Sequence, residues 1–258
     1  MHNKARKCMS NVKNVEAFEK LLGLCSGYGG YNPGKPNLTI QSLTNKLINA
    51  KQAVDDANVA KSNLDKESNS REIVFDALPR LASSIVYTLA SSGASEQTLN
   101  DARFLLRQIT GRRKDGGKAA PVGTVPTAAP ATAPSPQAEV SAVPKATPPA
   151  SYASKANHFA NLVKLVSAEA NYQPNEPELQ VAGLTSMAAE LQQMNSTVIQ
   201  AQSNWNSKRI ARDKALYTGD SLLKTSRSVQ KYVRAAFGLR SQEYQKISKI
   251  VFTKPSLT

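Results

Sequence analysis

The sequence predicts an all-α protein: two tandem, related four-helix bundles, each built on one long helix, joined by a disordered Ala/Pro-rich linker. Three observations carry this expectation. The pattern Y-x-P-x-x-P-x-L-x-[IV]-x-x-L occurs twice, so that Tyr31, Pro33, Pro36, Leu38 and Leu43 recur as Tyr172, Pro174, Pro177, Leu179 and Leu184. Each copy is followed by apolar residues at 3–4 spacing, the mark of a helix with one buried stripe. Between the copies, residues 115–154 are dominated by Ala, Pro, Val, Thr and Ser, a composition that cannot bury a core and prefers extended, polyproline-like conformations.

The duplication extends beyond the motif. Upstream, Phe18, Leu21 and Leu24 match Phe159, Leu162 and Leu165 in the register of the two tyrosines. Downstream, Ala60, Asn63 and Arg71 match Ala201, Asn204 and Arg212. A short insertion in the second copy then precedes the pairing of Tyr87 with Tyr232 and Gly93 with Gly238. This divides the chain into a basic N-terminal arm at 1–10, repeat 1 at 11–114, the linker at 115–154 and repeat 2 at 155–258. Each repeat is of a size that can bury its own core.

The elements follow in order. Residues 1–12 read as a frayed basic arm, and a first helix runs from about Lys13 to Ser26 with Val15, Phe18, Leu21, Leu22 and Cys25 on one face. Gly27, Gly29 and Gly30 end it. A phosphate loop would need a preceding strand and a following Lys-Ser/Thr, and both are missing. Pro33 and Pro36 fix φ and remove donors, so the long helix starts near Pro36 or Asn37. Tyr31 and Tyr172 are expected to pack across the bundle end, each with its hydroxyl on a turn carbonyl.

From Leu38 to Ala77 there is neither proline nor glycine, enough for a helix of ~60 Å. Leu43, Leu47, Ala50, Val54, Ala57 and Leu64 form a coiled-coil-like seam, echoed by Leu184, Ala188, Leu191, Val198 and Trp205. The seam then turns polar, with Arg71 and Arg212 at one repeat position. Pro79 is expected to break the long helix of repeat 1, and Thr218 to Ser221 that of repeat 2. Third helices follow, carrying Leu81, Ile85, Val86 and Leu89 in one copy and Leu222, Leu223, Val229, Val233 and Phe237 in the other. Ser95 or Thr98 caps the fourth helix of repeat 1, which ends at Gly111; Ser241 caps that of repeat 2.

The formal net charge is +14. Residues 1–114 hold 17 basic and 10 acidic side chains, residues 155–258 hold 14 and 7, and the linker holds two of each. An excess shared by both folded repeats favours polyanionic partners or simply confers solubility. Arg103, Arg107, Arg112, Arg113 and Lys114 crowd the end of repeat 1. In repeat 2, Lys208, Arg209 and Arg212 cluster late in the long helix, and Lys224, Arg227, Lys231 and Arg234 recur at 3-4-3 spacing. Such stripes can neutralise phosphates, although a helical stripe of Lys and Arg is more often a solvated face.

No chemistry is evident beyond this. His2 and His158 are the only histidines, and Cys8 and Cys25 make neither a disulfide framework nor a metal set. Neither a catalytic pair nor a cofactor or small-molecule site is expected. The N-terminus lacks the apolar stretch of a secretory signal, and no segment reads as a bilayer span, which makes a reducing cytoplasm the default location.

The Tyr-Pro-Pro-Leu motif, the turn Gly93-Ala94-Ser95-Glu96-Gln97-Thr98 with its Gly111-Arg112-Arg113 end, and the closing Val251-Phe252-Thr253-Lys254-Pro255 resemble a family of duplicated helical-bundle proteins from Bacteroidota. That resemblance covers both repeats and implies fold and lineage, but no activity. The sequence thus leads to a non-enzymatic interaction or scaffold protein that binds a protein partner or itself. The alternative is a sequence-independent nucleic-acid binder that uses its basic faces.

Overall fold

The computed structural model describes residues 2–111 and 151–253, with side chains from residue 10 onward in the first segment. Every element among them is helical, and no strand occurs there. The order is α1 (His2–Gly27), a 3-10 turn (Pro36–Leu38), α2 (Ile40–Ser91), α3 (Glu96–Thr110), α4 (Tyr152–Ser167), α5 (Val181–Tyr217), α6 (Leu222–Phe237) and α7 (Gln242–Ser248). The expected linker, apart from its last four residues, lies outside the described residues.

The chain forms two compact units, and the division does not follow the repeats. Unit 1 is Met1–Asn69 together with Thr197–Thr258, and unit 2 is Ser70–Ser196. The expected units, 11–114 and 155–258, are therefore corrected: each compact unit takes the front half of one repeat and the back half of the other. Periodicity marks which face of a helix is apolar; it does not say which neighbour covers that face.

Unit 1 buries Phe18, Leu21 and Leu43 from repeat 1 against Leu216, Leu222 and Val229 from repeat 2, all fully enclosed. Within it α2 and α5 run antiparallel, since Lys46 meets Asp220, Asp56 meets Lys208 and Lys61 lies over Trp205. Unit 2 buries Leu78, Ile85 and Leu89 from repeat 1 against Phe159, Leu162 and Leu184 from repeat 2. Here α3 packs on α4, and the Thr98 hydroxyl donates to Glu169 at 2.9 Å. Each enclosed Leu or Phe contributes ~1.5–3 kcal/mol relative to exposure.

Several local expectations hold. All six seam residues from Leu43 to Leu64 are buried. The Ser95 hydroxyl accepts from the backbone N–H of Thr98, which resolves the choice of cap in favour of Ser95. Gly111 closes α3 in the left-handed region at φ 71°, where a Cβ would be strained. Ser241 caps α7.

Others are corrected. Helix α1 begins at His2, so the backbone of the supposed frayed arm is helical. The motif prolines open a 3-10 turn and α2 itself starts at Ile40. Pro79 does not end the helix: α2 continues to Ser91. A mid-helix proline forfeits one backbone hydrogen bond, but Phe75, Leu78 and Ala82 are all buried around it, and that packing outweighs the local penalty.

The pairing of Tyr87 with Tyr232 also fails, because Tyr87 is 76% exposed while Tyr232 sits edge-on against Tyr31. Burial instead aligns Leu78, Ala82, Ile85 and Leu89 with Leu222, Ser226, Val229 and Val233. Finally, α2 does contain an 18-residue window of mean hydropathy 1.3, long and apolar enough to cross a bilayer by composition alone. One third of that window is buried inside the protein, and Asp76 and Arg80 interrupt the apolar run in this part of the helix.

Candidate functional site

The two copies of the repeated motif build the same local geometry. The Tyr31 hydroxyl donates to the Leu38 carbonyl at 2.7 Å, and the Tyr172 hydroxyl donates to the Leu179 carbonyl at 3.0 Å. Both tyrosines lose solvent on packing, and burial raises the phenol pKa of each. Each hydroxyl is committed to its turn carbonyl and pins the start of a long helix. In unit 1 a Cβ at Gly30 would come within 3.4 Å of the Phe237 ring, while Gly27, Gly29 and Gly34 face open space. Tyr28 lies 5.7 Å from the same ring and its hydroxyl donates to the Glu243 carbonyl.

The candidate basic residues separate into three groups. Arg112, Arg113 and Lys114 lie outside the described residues. A second group is engaged internally. Arg103 pairs with Glu96 at 2.8 Å, and Arg107 lies over the Phe104 ring. Lys208 pairs with Asp56 at 2.8 Å, and Arg209 stacks on Trp205. Arg212 is 9% exposed and bonds Asp213 through two nitrogens. Its repeat counterpart Arg71 lies over the Tyr152 ring at 4.1 Å.

The third group is Lys224, Arg227, Lys231 and Arg234 on α6. All four are exposed, and none closes an ion pair among the described residues, although Lys224 is near enough to Asp220 to help keep that carboxyl ionised. Helix α6 contains no acidic residue at all. Its buried face carries Leu222, Leu223, Val229 and Val233, so the core fixes the direction in which the cationic stripe points. The 3-4-3 spacing gives it a length of ~15 Å. Arg240, Lys246 and Lys249 follow, also exposed, with Glu243 the one acidic residue from Leu222 to Thr253.

The exchange of halves redistributes charge in a way that the repeats conceal. Split by repeat, the two halves are equally basic. Split by compact unit, unit 1 has 22 basic and 9 acidic residues, a net +13, while unit 2 has 11 and 10, a net +1. The front of repeat 1 and the back of repeat 2 are each basic, and unit 1 combines them.

Unit 1 also contains a buried polar knot. Asn14 is 1% exposed, donates to the Thr253 carbonyl at 2.8 Å and accepts from the Thr253 N–H at 2.9 Å. The Tyr217 hydroxyl donates to the Asn11 side-chain oxygen Oδ1 at 2.6 Å. Asn11 and Asn14, three apart on α1, thereby tie the segment after α7 and the end of α5 to that helix. Their spacing on the apolar face was the one available signal. Cys25, about three turns further along α1, is 1% exposed; burial pushes its thiol up to about 12, and it packs as a small apolar residue.

Unit 2 has an open groove of about 840 Å³ beside the second motif, lined mainly by apolar side chains including Leu81, Leu179, Leu184 and Met187. Arg80, Glu176 and Glu178 supply its charge. Among the described residues no group of three or more His, Cys, Asp or Glu is placed to hold a metal ion.

Comparison with protein-family models, curated proteins and solved structures gives no match to this chain. The functional reading therefore rests on the residues themselves.

Proposed function

We propose that this protein is a non-enzymatic binding protein whose unit 1 engages the phosphate backbone of nucleic acid without reading its sequence. The observation that carries the reading is the α6 stripe, Lys224, Arg227, Lys231 and Arg234, exposed and without ion pairs in a unit of net charge +13. One strand of duplex DNA presents a charge every ~3.4 Å along the axis, so a ~15 Å stripe matches about four phosphates. The remaining exposed positions of α6 are Ala235 and Ala236, which gives it no bulky apolar side chain to insert into a bilayer. Lys61 and Arg209 both lie over the Trp205 ring, which leaves the exposed cations of α6 as the support for an electrostatic contact.

The test is fluorescence anisotropy of a labelled duplex with the full chain across a salt series. Four neutralised phosphates give a slope of log K against log salt of about −3.6, similar for duplexes of different composition. Replacing Lys224, Arg227, Lys231 and Arg234 with Gln removes most of the affinity; replacing Arg103 and Arg107 in unit 2 leaves it unchanged. Failure to bind at low salt, or equal binding by the stripe variant, overturns the proposal. Binding to anionic vesicles but not to DNA or RNA assigns the stripe to a lipid surface instead. Co-purification of a protein partner that survives high salt and nuclease supports the scaffold reading in its place.

A further inference from the structure

We infer that each repeat is one half of an interlocking pair, and that a second copy of the chain can supply the complementary half in trans. Both cores are shared across the repeats. Phe18 and Leu43 of repeat 1 are enclosed with Leu216 and Val229 of repeat 2 in unit 1, and Ile85 of repeat 1 is enclosed with Phe159 of repeat 2 in unit 2. No core is assembled from one repeat alone. A lone repeat 1 leaves two apolar faces uncovered, one on α1 with the start of α2 and one on the end of α2 with α3. Repeat 2 has the complementary pair of faces.

The covalent tie between the halves is the segment 112–150. A tether of about 40 residues sets an effective concentration on the order of millimolar. Below that, a chain pairs with itself; near it, halves from different chains compete on equal terms. The charge pattern favours unlike halves. Asp56 of repeat 1 meets Lys208 of repeat 2; in a pair of two first repeats, the residue at the position of Lys208 is Glu67, which repels it. The partner that fits each face is therefore the opposite repeat, from the same chain or from another copy.

The full chain tests this once a specific protease site is placed within 112–150. After cleavage, the two fragments are expected to elute together at the volume of the intact protein, in 1:1 ratio and with undiminished helicity, at both low and high salt. If they separate, folded or unfolded, the interlocking is refuted. The trans clause has its own readout. Tagged and untagged cleaved proteins are mixed, unfolded in urea and refolded together. Recovery of untagged repeat 2 on tagged repeat 1, near the half expected for random pairing, supports it. Recovery of tagged complexes containing only tagged protein overturns it. Intact chain refolded at about millimolar concentration is expected to give a dimer that persists on dilution, and exclusively monomeric product counts against exchange.

Discussion

Tyr31 holds Leu38: its hydroxyl donates to the Leu38 carbonyl seven residues on, at 2.7 Å, across the turn that opens α2. Tyr172 does the same to Leu179 at 3.0 Å. The bond closes over two prolines that cannot donate, so the tyrosine supplies a hydrogen bond that the turn itself lacks. Tyr31→Phe and Tyr172→Phe keep the ring and remove the bond. Each is expected to lower stability in urea titration by about 1 kcal/mol, the usual net worth of such a bond. Tyr31→Phe also perturbs the edge contact with Tyr232 little, because the ring is retained; an unchanged midpoint in both variants refutes the pinning role.

The polar knot around Asn14 gives a sharper contrast. Asn14→Ala removes both bonds to the Thr253 N–H and carbonyl; Thr253 is itself exposed, so water takes the place of Asn14 there and each lost bond costs about 1 kcal/mol. Asn14→Asp keeps an acceptor for the N–H but loses the donor, and is expected to fall between wild type and Ala. Limited proteolysis should then cut after α7 first in the Ala variant. Equal cleavage in all three proteins argues that Asn14 does not hold this segment.

Acid should loosen unit 1 through two aspartates. The Lys46 ammonium bonded to Asp220 and the Lys208 ammonium bonded to Asp56 hold both carboxyls below the ordinary aspartate value of 3.8. A lowered native pKa contributes stability above the unfolded value, lost as pH falls through the native one. Their contribution is therefore present above the ordinary aspartate value and is lost as pH falls from there through the lowered native values. Both are solvent-facing, so the effect is small. Urea midpoints measured from pH 5 to pH 2 should fall less steeply in Asp56→Asn/Asp220→Asn than in wild type; parallel slopes exclude these pairs as the cause.

Pro79 sits inside α2 with its carbonyl accepting from the Ser83 hydroxyl at 2.8 Å. Pro79→Ala restores a backbone donor toward the Phe75 carbonyl and relieves the ring clash. It is expected to raise the stability of unit 2 by up to ~3 kcal/mol, the interior helix penalty of proline. Thermal unfolding followed by circular dichroism checks this, and a lowered midpoint shows that the prolyl ring is itself needed for packing.

Helical class, the seam, the serine caps and the tyrosine-to-carbonyl bond were legible in the sequence, because each is set by residues within a few turns of one another. What escaped it depends on distant partners. Leu43 announces a buried face, but nothing near it in the chain announces Leu216. Pro79 is a strong local stop signal that lost to packing by Phe75 and Leu78. The candidate site was half legible for the same reason. The α6 stripe stood out by its spacing, whereas the engagement of Lys208 by Asp56 and of Arg103 by Glu96 follows from the tertiary fold and a seven-residue reach. The concentration of charge in unit 1 became visible only when the chain was divided by contact and not by ancestry.

The sharing of each core between repeats bears on how the protein is made. When the first 111 residues have left the ribosome, α1, α2 and α3 are all present, yet neither interior can close. One waits for the region from Phe159 to Leu191, the other for Leu216 to Ile247. At ~5–20 residues per second of translation, the nascent chain carries bare apolar helices for on the order of ten seconds. Two sequential bundles would use the same interval to fold the first of them.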